Sequence, residues 1–495
     1  MATVDEIDGP GQAHESDARR QHKHSLERNA LGFWDAIVMA VAGSAPAYSI
    51  AATTALIVSA VGFGAPAALL WCGVPMMGIA VAYHHLNKLG ASAGAAYEWV
   101  GRVLHPILGF FAGWGLVVSA TIFMVAGSIP AGQVTLSLFS ASAASHAGWV
   151  TLVGAVWFSV MAYFVARGVR ITANAQWIMS SIEVLLLVVF AVLGIAHGHR
   201  VSFSMSWLGF GRFGSFNGFV GGALIAAFYY WGWDVSSNLG EETEDSRKNS
   251  GLGGIVGILI VFVLFELFTI AINMDMTQKA IQSNSSNVLE AFGQVVGGGV
   301  GGKLMIIAVA LSTIATLETT LIQVTRSLFA MARERTLPSA FGVLHPRWNT
   351  PIFATVVVAV ISLIMFALSN LVGSIGTVLS DAISSIGLQI AIYYALAGFA
   401  AVVAFRKYLL QSVSNFVFMG LFPLLGAAFM TFIFIKSIPG LSAVVLWIGL
   451  GGMGLGLIPI AYYFARGSAY LHQRPTLGSV AVAEEFAGDD IAKID

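Results

Sequence analysis

Five carboxylate side chains lie inside apolar stretches of this sequence, and four of them are candidates for chemistry: Glu183, Asp234, Glu318 and Asp381. The fifth, Glu266, is left outside the candidate site. A charged side chain at the centre of a bilayer costs at least about 2.5 kcal/mol, so an acid that is kept there usually has a function. A carboxyl group that is removed from water can hold a proton at neutral pH and exchange it. We therefore predict that these four acids exchange protons. The alternative is that each is a neutral acid hydrogen-bonded to a helix carbonyl.

The composition indicates what kind of environment surrounds these acids. Hydrophobic residues make up 57% of the 495 residues and charged residues 10%, whereas soluble domains carry roughly 25% charged residues. We therefore predict an integral membrane protein, with the lipid bilayer as a partner. The single cysteine, Cys72, cannot build a disulfide framework or a cysteine-based metal site, and we predict no metal or other cofactor. A net charge of -1 excludes a strong field for nucleic acid.

Apolar stretches that reach the length of a membrane helix, about 20 residues, occur twelve times in the chain. With the N-terminus in the cytoplasm, only five of the 24 basic residues would face outward, so we expect both termini to be cytoplasmic. The expected parts are a disordered tail at 1–32, a transporter core at 33–403, two further helices at 404–466 and a C-terminal tail at 467–495. The predicted spans 1 to 12 are 33–60, 66–87, 105–138, 148–166, 172–196, 217–239, 251–273, 303–333, 350–371, 375–403, 412–435 and 441–465.

Two of these spans contain residues that interrupt a helix. Span 1 contains Gly43-Ser44-Ala45-Pro46, and proline removes a backbone N–H and disfavours helical geometry at the residue before it. Span 6 contains Gly232 among bulky aromatic residues. Interrupted helices at matching positions are typical of a solute site between inverted repeats, whereas a packing kink at Pro46 and a small-residue contact at Gly232 are the alternatives. The residues predicted to contact a substrate are Gly43, Ser44, Ala45, Tyr48, Phe228, Tyr229, Trp231, Gly232 and Asp234.

Four longer motifs resemble one known family. "GWDVSSNLGEETEDSRKN" (232–249) is similar to the end of helix 6 in the amino acid/polyamine/organocation superfamily, and "TRSLFAMARERTLPSAFGVLHPRWNTP" (325–351) is similar to the end of helix 8. "GASAGAAYEWVGRVLHPILGFFAGW" (90–114) and "GVRITANAQWIMSSIEV" (168–184) resemble the starts of helices 3 and 5. The resemblance implies an all-α membrane fold of the LeuT type, in which spans 1–5 and 6–10 form inverted repeats and two helices are peripheral.

The resemblance also implies roles for single residues. Phe228 stands where relatives carry an aromatic residue that closes over the substrate, and Asp234 aligns with an acid that some exchangers use as a proton-sensitive switch. Glu183 stands where several proton-coupled relatives carry a lysine. Many relatives carry Gly-Ser-Gly at the break of helix 1, so Ala45 and Pro46 narrow this break and remove one N–H donor for an anion.

The function that the resemblance implies is secondary active transport of an amino acid, amine or polyamine across the cell membrane, by a monomer or a homodimer. Protons are the expected coupling ion, with sodium as the alternative. A potassium symporter of the same fold, a substrate exchanger and a sensor without transport stay open as alternatives. The sequence has no HExxH metalloenzyme motif, and we do not expect an enzyme.

Charged residues that follow span 6 suggest a gate on the cytoplasmic side. Glu241 and Glu242 lie near Arg247 and Lys248 in the sequence. We predict that ion pairs of the two acids close an inner gate, and a solvated charge run is the alternative. The glycine-rich segment 293–302 is expected to be a loop that forms a flexible part of an outer lid.

Overall fold

The structure is a computed structural model that describes residues 25–196, 200–285, 287–369, 371 and 373–475. Most of the two predicted tails therefore lies outside the described residues. Within those ranges the chain forms helices, and the β contacts amount to an isolated bridge between Leu31 and Thr243. The helices used below are α1 (Phe33–Ser44), α2 (Pro46–Val61), α3 (Ala65–Leu89), α4 (Ala96–Val103), α5 (Pro106–Ser137), α6 (Ala147–Arg167), α7 (Val169–Ala196), α8 (Phe216–Tyr229), α9 (Val235–Asn238), α10 (Ser246–Asp275), α11 (Val288–Arg333), α12 (Ile352–Ser369), α13 (Ile375–Phe405), α14 (Phe422–Ser437) and α15 (Leu457–Ala465).

Ten helical segments of the described chain are long and apolar enough to cross a membrane. The first of them, Phe33–Leu89, has 57 residues and contains α1, α2 and α3, which is far more than one crossing needs. By contrast, α8 is apolar but has only 14 residues. The protein is a multi-pass membrane protein, while the count of twelve spans and the inverted repeat stay predictions.

Helix α11 lies at the centre of the helix bundle. In its most apolar window 89% of the residues are buried, against 28% in α6 and in α12. It packs against α2, α5 and α7, whereas α6, α7 and α12 turn large apolar side chains outward, among them Val156, Ile178 and Ile364. A bilayer can cover such side chains, because lipid tails are as apolar as they are. The polar residues of α11 are consequently enclosed by other helices.

The end of the predicted N-terminal tail is packed against the protein. Leu26 and Leu31 are buried, and the Leu31 N–H donates to the Glu242 carbonyl at 3.0 Å. The Glu244 N–H donates in turn to the Leu31 carbonyl at 2.8 Å. Two buried leucines and these backbone hydrogen bonds hold residues 25–32 on the loop after α9, so the expected disorder does not extend to residue 32.

The glycine-rich segment 293–302 is helical rather than a loop. It forms part of α11, with non-helical backbone angles at Gly297 and Gly298. A side chain at Gly301 would clash with the backbone of Gly293, so these two glycines allow the chain on either side of the kink to approach closely. The prediction of a loop at this place was wrong because the glycines serve packing.

Candidate functional site

The predicted break in the first apolar segment is present. Helix α1 ends at Ser44 and α2 begins at Pro46, and Ala45 between them has left-handed backbone angles, with φ 46° and ψ 63°. Proline suits the first turn of α2, where its missing N–H would have no helical partner, but it cannot continue α1. The break is fully buried.

The second predicted break is present as well. Helix α8 ends at Tyr229 and α9 begins at Val235. Gly232 lies between them with φ 97°, a conformation that L side chains rarely adopt. Glycine is therefore the residue that lets the chain change direction here without proline.

The two breaks contact each other through their backbones. A side chain at Gly43 would clash with the carbonyl of Gly232, and a side chain at Gly232 would clash with the carbonyl of Gly43. Ser44 and Ala45 are buried beside this contact. The structure thus brings the two predicted halves of the site together, in a closed arrangement that leaves no room for even a methyl group at the two glycines.

Helix α11 supplies a hydroxyl for the carbonyl that the first break frees. The Ala42 carbonyl accepts a hydrogen bond from the Thr316 hydroxyl at 2.8 Å. It also accepts the Ala45 N–H at 3.2 Å. A buried carbonyl without a partner would be costly, so Thr316 stabilises the end of α1.

Two side chains from other helices accept the first N–H groups of α2. The Ala47 N–H donates to Glu183 Oε1 at 2.9 Å, and the Tyr48 N–H donates to the Ser312 hydroxyl at 3.1 Å. A carboxylate at a helix N-terminus is stabilised by the free N–H groups and by the helix dipole. Glu183, one of the four predicted acids, therefore caps α2 from α7 and binds the first break directly.

Two of the four predicted acids meet at one polar face of α7: Glu183 lies on this face, and Glu318 faces it from α11. The buried polar residues of this helix recur every three or four positions: Thr172, Gln176, Ser180 and Glu183. Gln176 donates to Glu318 Oε2 on α11 at 2.6 Å. Four atoms of this region are buried without a hydrogen-bond partner among the described residues: Gln176 Oε1, Ser180 Oγ, Glu183 Oε2 and Glu318 Oε1. Glu183 and Glu318 are thus both fully buried between α7 and α11.

Asp234 lies in a separate cluster, on the other side of the second break. Its carboxylate accepts the Tyr394 hydroxyl at 2.9 Å and the Tyr393 hydroxyl at 3.4 Å. The ring of Tyr83 from α3 packs edge-on against Tyr394, with ring centroids 5.8 Å apart. A cavity of about 10 Å³, enough for one water molecule, adjoins Asp234 and Asn238. The acid is therefore held by phenols rather than by the backbone of the break.

Asp381 is not part of either cluster. It lies in the second turn of α13 and is half-buried. Among the described residues no hydrogen bond joins it to Glu183, Asp234 or Glu318. The structure therefore separates this acid from the other three, because a position so near a helix end does not reach the middle of the bundle.

Three of the predicted aromatic residues surround the closed breaks. Tyr48 lies 6.4 Å from Phe228 between ring centroids, and both pack against Phe123 of α5. The ring centroid of Trp231 lies 5.5 Å from that of Phe123. These four residues, Tyr48, Phe123, Phe228 and Trp231, are called the ring cluster below.

Tyr229 points away from the ring cluster. Its hydroxyl is 2.7 Å from the Thr54 hydroxyl, and its ring packs edge-on against Phe265 of α10. Successive residues of a helix point about 100° apart, so Phe228 and Tyr229 cannot face the same site. Tyr229 is thus placed in the packing of α2 against α8 and α10.

Glu241 and Glu242, the acids of the predicted inner gate, form ion pairs with arginines of α11. Glu242 binds Arg326 of α11 through two hydrogen bonds, at 2.8 and 2.9 Å, and both side chains are almost completely buried. Glu241 binds Arg333 at 2.7 Å between Oε1 and Nη2. Arg333 also reaches Glu98 at 3.1 Å. Arginines from the end of α11 therefore bind both predicted gate acids.

The surroundings of Glu241 favour its charged form. Burial by itself raises the pKa of this carboxyl group, but the hydrogen bonds and charge of Arg333 and the Ala93 N–H outweigh burial. The pKa of Glu241 consequently lies below its ordinary value. This pair therefore stays ionised at neutral pH and can hold the loop after α9 against α11.

The sequence analysis missed five residues that contact the ring cluster, the first break or Asp234: Phe123, Ser312, Thr316, Tyr393 and Tyr394. The hydroxyls of Ser312 and Thr316 stand four residues apart in a mostly apolar helix, a spacing that places them on one face. That spacing is a signal which the sequence carries. The phenylalanine and the two tyrosines have no such signal, because aromatic residues in an apolar helix usually belong to the core.

Comparison with known proteins finds a permease family and several transporters. Residues 31–475 match the family described as Amino acid permease. The low-affinity putrescine importer PlaP of Escherichia coli strain K12 is 24% identical over 371 residues, covering 71% of this chain and 73% of the importer. Cationic amino acid transporter 8, vacuolar, of Arabidopsis thaliana is 25% identical over 480 residues, covering 90% of this chain and 76% of the transporter. The methylthioribose transporter of Bacillus subtilis strain 168 is 24% identical and covers 72% of this chain and 78% of its own length.

The family match covers nearly all of the described chain, including both breaks, the acids of α7 and α11 and the gate. The relatives move solutes as different as putrescine and methylthioribose, so the family alone does not define a substrate. The chain belongs to the amino acid permease family of membrane transporters.

Proposed function

We propose that the protein is a secondary active carrier that moves an amino acid or another small amine across the cell membrane by alternating access, coupled to protons. The observation that carries this proposal is the backbone contact between the breaks at Gly43 and Gly232. Broken helices in transporters turn freed backbone groups toward a solute near the middle of the membrane. A closed contact between two such breaks calls for a second arrangement in which they separate.

The proposed architecture has twelve spans, with five-helix inverted repeats and both termini in the cytoplasm. It is supported by the positions of the breaks, since α1 and α8 each belong to the first predicted span of a repeat. The names of relatives support the solute class, because one imports putrescine and another is a cationic amino acid transporter. The faces of the ring cluster suit an ammonium group, which aromatic rings attract.

Proton coupling follows from what Glu183 holds. When this carboxylate is charged, it attracts the N-terminus of α2 through the Ala47 N–H. A protonated carboxyl group keeps an acceptor oxygen but loses that charge, so proton binding weakens its hold on the break. Asp234 lies beside the second break, where its carboxylate accepts hydrogen bonds from Tyr393 and Tyr394 rather than from the backbone of the break.

Uptake into proteoliposomes tests this function. Labelled putrescine, arginine and leucine are offered separately, with an acidic outer buffer and a neutral lumen. We expect at least one of them to accumulate, and a protonophore to abolish the accumulation. Protein-free liposomes are the control. Potassium-driven cation uptake without transport of any organic solute would contradict the proposal and support the potassium symporter.

A further inference from the structure

The N-terminus of α2 has no N–H group left for a ligand. Pro46, its first residue, has no N–H. The Ala47 N–H is used by Glu183 at 2.9 Å, and the Tyr48 N–H is used by Ser312 at 3.1 Å. In a helix without such partners these would be free donors that attract an anion.

The neighbouring donors are used within the break itself. The Ser49 N–H donates to the Ala45 carbonyl at 2.8 Å, and the Ala45 N–H donates to the Ala42 carbonyl at 3.2 Å. The accounting of donors from Ala45 to Ser49 is therefore complete. A carboxylate on the solute could bind here only by displacing an internal acceptor.

Displacing Glu183 would be unfavourable. Its side chain is fully buried, and its second oxygen, Oε2, has no hydrogen-bond partner among the described residues. No ion pair to a lysine or arginine is present at Glu183 in the part of the chain that the structure describes. A displaced carboxylate would thus remain buried and unpaired next to the incoming one, and like charges at close range oppose each other.

The second acid at this face adds to the same effect. Glu318 lies on α11 and is bound by Gln176, seven residues before Glu183 on the same face of α7. Glu183 and Glu318 face each other's helices, and among the described residues no lysine or arginine forms an ion pair with either. Such acids produce a negative local field when either is ionised, and this field favours cations. An ammonium group gains from it, and a carboxylate loses.

We propose that Glu183 is a built-in carboxylate that occupies the anion position of the first break, so that the transported solute is an organic amine without a carboxylate. This inference rests on the proposed function and narrows its substrate class. The solute contributes a positive charge to the site, and Glu183 contributes the negative charge that an amino acid would otherwise bring.

Pairs of compounds that differ only in an α-carboxylate test the inference. The pairs are putrescine with ornithine, agmatine with arginine, and tyramine with tyrosine. Binding is measured on the purified full-length protein by competition and by thermal shift, so that the result does not depend on proton coupling. We expect the amine of at least one pair to bind, and every amine that binds to do so at least tenfold more tightly than its amino acid.

Two variants and a control connect this preference to Glu183. In Glu183→Ala the N–H of Ala47 is freed and the charge is gone, so the preference should fall below about threefold. Glu183→Gln keeps an acceptor for Ala47 without the charge, and its preference should lie between those of Ala and wild type. Ser180→Ala, one turn away on the same face, should keep the wild-type ratio. If the Ala variant does not fold, the Gln variant decides.

The possible failures are distinguishable. An amino acid that binds as tightly as its amine overturns the inference but leaves a carrier of amino acids or amines in place. A ratio that is unchanged in every Glu183 variant that folds overturns the role of this residue. Failure of all six compounds to bind, together with no uptake of any organic solute, overturns the proposed function and the inference with it.

Discussion

At the residue scale, two glycines with positive φ distinguish the cost of backbone strain from the cost of a steric clash. Gly232 and Gly214 both have positive φ, 97° and 65°, but a side chain at 232 would meet the backbone of Gly43, whereas nothing lies within 4 Å at 214. Each alanine variant costs roughly 1–3 kcal/mol because an L residue rarely adopts such positive φ. We expect Gly232→Ala to cost clearly more and to abolish uptake, while Gly214→Ala keeps uptake. Thermal unfolding in detergent and uptake assays measure both, and equal losses in the two variants would contradict the contact between the breaks.

Asp234 gives a second prediction at this scale. Asp234→Asn keeps the size of the side chain and an acceptor for Tyr394, so the protein should fold with little change in melting temperature. The substitution removes the titratable group, so proton-driven uptake should be lost. Either solute exchange without a pH gradient persists, or transport stops altogether. Glu266→Gln on α10 is the matched control. It removes a membrane acid whose carboxylate has no hydrogen bond to Glu183, Asp234 or Glu318 among the described residues. Full proton-driven uptake by the Asp234 variant would refute its role.

At the scale of elements, the ion pair of Glu242 and Arg326 joins the loop after α9 to α11. Both side chains are buried, so removing one charge leaves the other unpaired, which costs about 3–5 kcal/mol. Glu242→Gln should therefore lower the free energy of unfolding strongly. The double variant Glu242→Met with Arg326→Met should recover most of this loss.

The neighbouring pair is the comparison for that measurement. Arg333 is 40% exposed in its pair with Glu241, and partly exposed pairs contribute about 0–1 kcal/mol. Glu241→Gln should thus be much milder than Glu242→Gln in the same denaturation assay. Equal effects of the two variants would show that burial does not distinguish the pairs.

Glu241 also predicts a pH dependence. Because the folded-state pKa of Glu241 lies below the ordinary 4.5, its contribution to stability is complete above that value and is lost as the pH falls through the folded-state pKa. The difference in melting temperature between wild type and Glu241→Gln should be constant near neutral pH and shrink in acid. A difference that grows as the pH falls would mean that the pKa is shifted in the opposite direction.

The breaks and the gate show what could be predicted about elements. Pro46 and Gly232 carry local signals, since one lacks an N–H and the other permits positive φ, and both breaks were predicted. The partners of Glu241 and Glu242 carry no local signal. Arg326 and Arg333 stand more than 80 residues away in the sequence, and only the packing of α11 brings them to the gate.

For the whole molecule, hydropathy predicts a multi-pass membrane protein because the bilayer sets the length and polarity of each helix. The side chains that satisfy the first break could not be predicted in the same way. Thr316, Ser312 and Glu183 meet the backbone of α1 and α2 through tertiary packing between three regions of the chain. The sequence therefore indicated where the helices break, and tertiary packing determines which side chains bind the freed backbone groups.

Solute-driven proton entry tests the central claim most directly, because it requires both a solute site and coupling. Proteoliposomes that contain a pH-sensitive dye receive putrescine, arginine or leucine at equal pH on both sides of the membrane. We predict that a transported solute acidifies the lumen with the wild-type protein and the Glu266→Gln control, but not with Asp234→Asn. Uptake of solute without any acidification in the wild-type protein would contradict proton-coupled transport through the two breaks.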